Sequence, residues 1–302
     1  MAAPADFHGA SFETYSWAAG IGASTRYPCV LSTSHVTTIH PVMAAKQATT
    51  IDHITNGRFA LNVVGGWHRT ELEMFGASSI DHDTRYDIAR EWLDVVKRLW
   101  SDEGEFDFEG RHLQVRKGYM QPKPIQRPFP PVMNAGGSDE GRHFAAKHCD
   151  IAFVLLDTDD AGQAKLRVDS YRSLARQEYS RDIQVWSYAF VVQGDTEASA
   201  RRYFDYCVNQ KGDWEAASGL ADLLGMTAET MQPNDLISVR TKLISGWGGF
   251  LLIGTKEQVA DGLTKLSQAG LDGIVLSWPR YLDDMKQFGR ETLPLLKQAG
   301  LR

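Results

Sequence analysis

The sequence predicts a parallel α/β fold, and three features carry that prediction. Short apolar runs with strand character alternate with helical segments along most of the 302 residues. Two of those runs end in glycine turns, at Asn62-Val63-Val64-Gly65-Gly66-Trp67 and at Met133-Asn134-Ala135-Gly136-Gly137-Ser138. In repeating strand–helix proteins the C-terminal ends of strands are where ligands and chemistry sit. Composition is even along the chain, so a single domain over residues 1–302 is expected, with a hairpin insertion at about 105–117 and a helical insertion at about 205–248.

Taken in order, Ser11 to Ser24 has helical spacing, with Phe12, Tyr15 and Trp17-Ala18 ahead of Ile21. Cys29 to Thr33 reads as a short buried strand that ends at Ser34-His35. Pro41 belongs in the first turn of a helix, which runs from Val42 to Ile54 and is closed by Asn56-Gly57. The strand at 58–64 follows. Asp83 to Trp100 is amphipathic, with Tyr86, Ala89, Trp92-Leu93, Val96 and Leu99 on one face. Glu105 to Val115 alternates around Gly110, a hairpin signal. Five prolines between Pro122 and Pro131 make a rigid loop. Then come a strand at 131–135, a helix at 138–148, a strand from Ile151 to Leu155, a helix at about 159–178 and a strand from Val185 to Val192. Residues 195–245 are helical and polar, broken by Gly212, Gly219, Gly225 and Pro233, and end in Gly246-Trp247-Gly248-Gly249. Lys256 to Ala269 is a helix capped at Thr255 and stopped by Gly270, Gly273 to Ser277 is the last strand, and a helix closes the chain. About six core strands result, near 29, 58, 131, 151, 185 and 273. A closed βα barrel needs eight. The residues alone leave open an open sheet or a barrel with part of its strands outside this chain.

A formal net charge of −6 gives no electrostatic reason to expect nucleic acid or an anionic membrane as partner. No apolar stretch reaches the ~18–20 residues of a membrane span. Met1-Ala2-Ala3-Pro4-Ala5-Asp6 has neither the basic region nor the apolar core of a secretion signal, so a cytoplasmic location is expected. Cys29, Cys149 and Cys207 fit no zinc spacing and no disulfide framework. The nine histidines are scattered, no Ser-His-Asp or Cys-His arrangement stands out, and no metal site is expected.

Several residues invite a functional reading beside a plainer one. Asn62 places an amide at the end of an apolar strand, where burial without partners costs ~1–3 kcal/mol. It either meets a ligand or bonds the next loop. Gly137, Ser138 and the backbone N–H groups up to Asp139 suit a phosphate at a helix start. The plainer reading is a serine cap. His35 ends a strand and is a candidate catalytic group or a satisfied core histidine. Trp67 and His68 stand at the mouth of the Gly-Gly turn. Trp247, between glycines, reads as a lid over the substrate or as a surface turn.

These segments carry a resemblance. Phe12-Glu13-Thr14-Tyr15-Ser16-Trp17-Ala18-Ala19-Gly20, His40-Pro41-Val42-Met43-Ala44-Ala45-Lys46-Gln47, Ile51 to Phe59, Asn62 to Trp67, Glu71 to Gly76, Arg85-Tyr86, Met133 to Ser138 and Gly246 to Gly249 together resemble the luciferase-like flavin-dependent monooxygenases. Within that family the chain looks most like the group around the dimethylsulfone, alkanesulfonate and pyrimidine-ring-opening monooxygenases. The resemblance implies a (β/α)8 TIM barrel whose first strand, first helix and second strand would precede the segment matching Asp6. It thereby accounts for six strands rather than eight. It implies that Asn62, Glu71, Arg85, Tyr86, Gly137 and Ser138 contact FMN, and that His35, Trp67 and His68 lie nearest the chemistry. His68 departs from the asparagine many relatives carry there, and Gly65 is the barest option where they carry a small or hydroxyl-bearing residue, which puts the substrate in doubt.

The implied activity is a two-component monooxygenase that takes reduced FMN from a separate flavin reductase and uses O2 to oxygenate a small organic or organosulfur substrate. No Gly-x-Gly-x-x-Gly fingerprint follows a strand, which fits reduction elsewhere. A homo-oligomer is expected from the family. Two other readings stay open: an F420-dependent oxidoreductase that moves a hydride without O2, and a truncated, non-catalytic flavin-binding remnant.

Overall fold

The computed structural model describes residues 11–66, 68–76, 80–156, 158, 160–227 and 231–302. Two compact units are distinguished, one of residues 11–153 with Leu174–Ile183, the other of Val154–Ser173 and Gln184–Arg302.

The first unit is built on four parallel strands. They are β1 (Val30–His35), β2 (Phe59–Val64), β5 (Val132–Asn134) and β6 (Ile151–Phe153), adjacent in that order. Helices α1 (Thr14–Ser24), α2 (Pro41–Thr55), α3 (Arg69–Met74), α4 (His82–Ser101) and α5 (Asp139–His148) connect or flank them. An antiparallel hairpin, β3 (Phe106–Glu109) and β4 (Gln114–Gly118), follows α4. The β1–β2 register pairs Thr33 with Asn62 and His35 with Val64, and Asn62 in turn pairs with Met133 on β5.

Each connection has a local cause. Pro41 opens α2 at its first turn, and Asn56 ends it in the left-handed conformation at φ 54°. Arg58, directly before β2, donates to the carbonyls of Gly22, Thr25, Pro28 and Thr55. One guanidinium thus ties together the end of α1, the approach to β1 and the end of α2. The apolar face predicted on α4 is buried, and its two tryptophans also satisfy their ring N–H groups. Trp92 donates to the Ile39 carbonyl at 2.7 Å and Trp100 to the Ala45 carbonyl at 3.2 Å, fixing α4 against the start of α2. The proline-rich loop is held from beneath by Asp52, which is fully buried. Its carboxylate accepts from the backbone N–H groups of Ile125 (2.6 Å) and Gln126 (3.1 Å) and from the Gln126 side chain (2.7 Å).

In the second unit α6 (Ala161–Tyr179) leads to β7 (Gln184–Gln193), which lies parallel to both β8 (Phe250–Gly254) and β9 (Gly273–Ser277). Between β7 and β8 the chain forms α7 (Glu197–Asp205), a π-helical turn at Tyr206–Gln210, α8 (Trp214–Leu223) and α9 (Pro233–Ile244). α10 (Lys256–Gln268) starts with a reciprocal Thr255–Gln258 cap, and α11 (Tyr281–Glu291) and α12 (Leu293–Gln298) follow β9. The six expected strands are all present. β8 is a seventh, hidden in sequence because only five residues separate its glycine-rich approach from the α10 cap.

Among the described residues no helix is long and apolar enough to cross a membrane. Nor is any cluster of three or more His, Cys, Asp or Glu placed to hold a metal ion.

Two predictions follow from this packing. Asp52→Ala strips three donors of their buried acceptor. With hydrogen bonds to charged groups worth about 1.5–3 kcal/mol each and partly replaceable by water, a loss of roughly 3 kcal/mol is expected in the free energy of urea unfolding. The second concerns His148, whose imidazole is pushed down to about 4 by burial and by the surrounding charges of Lys97, Lys147, Arg90 and Arg181. Unfolded, it titrates near its ordinary 6.5. Between those values the unfolded chain binds a proton that the folded chain does not. Stability therefore rises with pH through that window and is lost as pH falls through it, at no more than about 1.4 kcal/mol per pH unit for one proton. Thermal melts at pH 5 and pH 7.5 should differ less in His148→Gln than in the unaltered protein.

Candidate functional site

The C-terminal ends of β1, β2 and β5 gather most of the residues singled out in the sequence. At the end of β1, His35 lines a cleft of about 740 Å³ in the first unit. Thr33, two residues earlier on the same face, lines it too, as do Phe12 and Glu13 before α1, Met43 and Gln47 on α2, and Glu71 and Phe75 at α3. Glu71 Oε2 lies 3.4 Å from His35 Nδ1.

Asn62 sits one strand over. Its Nδ2 donates to Thr33 Oγ1 at 3.1 Å, and Thr33 N–H in turn is held by Thr14 Oγ1 at 3.0 Å. The Asn62 Oδ1 atom is buried with no hydrogen-bond partner among the described residues. A buried, unsatisfied amide oxygen is costly, and that cost is removed when a ligand donor meets it.

The β5 end is shaped by close approach. Asn134 donates to the Val63 carbonyl at 2.7 Å, and its Oδ1 accepts from Gly136 N–H at 2.8 Å, which locks the turn. Tyr86, in the first turns of α4, packs its hydroxyl against this turn. A methyl at Gly136 would collide with that hydroxyl and fall 2.7 Å from Gly141 Cα, and a methyl at Gly141 would come within 2.5 Å of the same hydroxyl. Burial raises the Tyr86 phenol above its ordinary value, with Ser138 working the other way through a hydrogen bond. The phenol therefore stays protonated and able to donate. Arg85 Cβ lies 3.5 Å from where a Gly65 Cβ would stand, an ordinary contact that leaves room for a side chain there.

Ser138 is the N-cap of α5, its hydroxyl accepting from Gly141 N–H at 3.1 Å. A capping hydroxyl keeps its own proton to donate, so capping and ligand binding are compatible. The first turn of α5 carries Asp139 and Glu140. Glu140 is paired with Arg90 at 2.6 Å, and the Asp139 side chain is 83% exposed, which leaves the helix end available to an anion. Gly137 has open space where a side chain would be.

His68 is the N-cap of α3, its Nδ1 accepting from Glu71 N–H at 3.2 Å, and among the described residues it is not part of the cleft wall. Trp67 lies outside the described residues. Trp247 belongs to the second unit. It adopts a left-handed conformation at φ 59°, between Gly246 and Gly248 at φ 118° and 79°, and lines a small groove with α8 and α9.

Sequence reasoning missed Thr33, Gln47 and Asn134. Thr33 was legible as the residue two before His35, since alternate strand residues share a face. Asn134 was legible as the counterpart of Asn62, an amide directly before a glycine turn. Gln47, on a helix among alanines, had no such signal.

The model of the luciferase-like monooxygenase family matches residues 1–273. The FMNH2-dependent dimethylsulfone monooxygenase of Pseudomonas putida is 31% identical over 263 residues, 85% of this chain and 71% of that protein. A pyrimidine monooxygenase of Acinetobacter baylyi is 27% identical over 295 residues, 96% and 79% of the two chains. The crystal structure of a long-chain alkane monooxygenase superposes with a TM-score of 0.84 at 25% identity, covering 97% of this chain and 75% of its own.

The close packing at Tyr86 yields a prediction. Gly136→Ala overpacks the turn and is expected to cost roughly 1–3 kcal/mol in chemical denaturation. Tyr86→Phe beside it removes one of the three colliding groups, so the double variant should lose less than the sum of the singles.

Proposed function

The chain belongs to the luciferase-like monooxygenase family, and on that premise we propose that it is a two-component monooxygenase that uses reduced FMN and O2 to oxygenate a small organic substrate. The observation that carries the reading is the unsatisfied Asn62 Oδ1 at the end of β2, beside a cleft walled by His35 and Glu71. The residues present fit the cofactor. Reduced flavin offers ring N–H donors of the kind a buried amide oxygen lacks. At the other end of the site, Ser138, Gly137 and the α5 N-terminus form a cradle for a phosphate, with Tyr86 beside it. When bound, reduced FMN supplies the two electrons with which O2 delivers one oxygen atom to substrate and the other to water.

The chain's own part is to bind, orient and manage protons. Thr33 and Thr14 fix the Asn62 amide, so its oxygen is aimed before a ligand arrives. Glu71 holds His35 through Nδ1, which orients the imidazole to take or give a proton at its other nitrogen. Phe12, Met43 and Phe75 give the cleft wall apolar surface against which an organic substrate can pack. The reduced cofactor comes from a separate reductase, and the substrate is a small organic, organosulfur compounds included.

Anaerobic titration with reduced FMN tests this. Saturable binding is expected, weakened at least tenfold in an Asn62→Ala, Ser138→Ala double variant that retains its fold. Admitting O2 with a reductase should then give substrate-dependent oxygen uptake. Turnover of F420 without O2 would replace the reading with a hydride transferase. A folded protein that binds no reduced FMN would sink it.

A further inference from the structure

We propose that the cleft at the end of β1 selects substrates that carry no negative charge, with Glu71 and Glu13 as the specificity-determining residues; this rests on reading the cleft as the substrate pocket of the flavin monooxygenase described above.

The charge of the wall is one-sided. Two carboxylates, Glu13 and Glu71, line the cleft, and among the described residues no lysine or arginine does. Both carboxylates are held in place. Glu13 is the N-cap of α1, with Oε1 accepting from Tyr15 N–H at 2.9 Å and Oε2 from Ser16 N–H at 2.7 Å. Burial works to raise its carboxyl, but those backbone N–H groups outweigh it and hold the group below its ordinary value, so it is ionised at neutral pH. The positive end of the α1 dipole is therefore already spent on Glu13 and is not available to a ligand anion. Glu71 stands in the first turn of α3 and faces His35, a partner that carries charge only when protonated.

The rest of the wall offers an uncharged ligand what it needs. Phe12, Ile39, Met43 and Phe75 supply aromatic, branched and thioether surface. Thr33, Thr38 and Gln47 supply neutral hydrogen-bonding groups, and Gln47 Oε1 is buried without a partner among the described residues. An anion entering this cleft would meet two like charges, and among the described residues no lysine or arginine of the wall offsets them. The dianionic phosphate of the cofactor poses no conflict, because its cradle is the α5 N-terminus at the end of β5. The substrate class is thus a small uncharged molecule with an apolar body and a polar head, such as a sulfone, sulfoxide or amide. Sulfonates and carboxylates are excluded.

Dimethyl sulfone and methanesulfonate make a matched pair of probes, since they differ by one methyl group against one charged oxygen. Their dissociation constants are measured on the full chain, with and without FMN, by tryptophan fluorescence and ligand-observed NMR. Dimethyl sulfone should bind at least tenfold more tightly. Glu71→Gln should shrink that ratio at least threefold, and so should Glu13→Ser, which keeps a capping side chain on α1 while removing the charge. Circular dichroism confirms that each variant is folded. A ratio below tenfold in the unaltered protein, no saturable sulfone binding, or a ratio unchanged in both folded variants would overturn the proposal. Failure of the monooxygenase reading is seen separately, in the flavin titration: charge selection that persists without reduced-FMN binding removes that reading and leaves this one standing.

Discussion

The candidate site depends on the register of β1 against β2. A parallel pair shifted by one residue would turn every side chain of one strand to the other face. Here Thr33 faces Asn62 and His35 faces Val64, so the acceptor that aims the Asn62 amide and the histidine of the cleft come from one face of one strand. Arg58 sets that register at its start. By binding carbonyls from α1, the loop before β1 and the end of α2, it fixes where β2 begins relative to β1. Asn56, held left-handed at the end of α2, delivers the chain to Arg58 in the required direction. The segment from Ile51 to Phe59 is therefore structural. It lines no part of the cleft, yet the cleft would not form without it.

The two ends of the site are made by opposite means. At β5 the structure removes side chains, so that Tyr86 packs against bare backbone at Gly136 and Gly141. The result is a helix N-terminus with exposed N–H groups, suited to phosphate. At β1 and β2 the structure keeps side chains and leaves a polar atom of Asn62 without a partner. A well-packed interior tolerates such an atom where a ligand completes it, and the surrounding apolar strand residues stabilise the arrangement meanwhile.

Much of this was legible in the sequence because the signals were local. Proline at a helix start, Asn-Gly at its end, alternating residues in short strands and the apolar face of α4 each name a single structure. The glycine turns that follow Asn62 and precede Ser138 were legible because paired glycines after an apolar strand mark a turn. What escaped was non-local. Strand β8 is five residues long and gains its identity from pairing with β7, about 60 residues earlier in the chain. Thr33 matters through Asn62, 29 residues away. The π-helical turn at Tyr206–Gln210 lies inside a polar helical stretch whose composition does not mark it. His68 reads in sequence as a reactive group at a pocket mouth. In the fold its Nδ1 is engaged as a helix cap, a role that histidine spacing alone does not announce.

Hydrogen bonding also separates the histidines of this region by what each can do. His68 and His40 both accept a backbone N–H at Nδ1, from Glu71 and Val42. An imidazole that accepts at Nδ1 carries its proton on Nε2 when neutral, so each is a donor on its remaining nitrogen. His35 differs. Its Nδ1 has the Glu71 carboxylate 3.4 Å away in place of a backbone N–H. Of the three, it is the one set beside a carboxylate. The same Glu71 also makes the cleft negative, so proton handling at His35 and charge selection at the cleft wall come from one side chain. A substrate without negative charge is then the kind that can approach the imidazole without opposing the carboxylate that orients it.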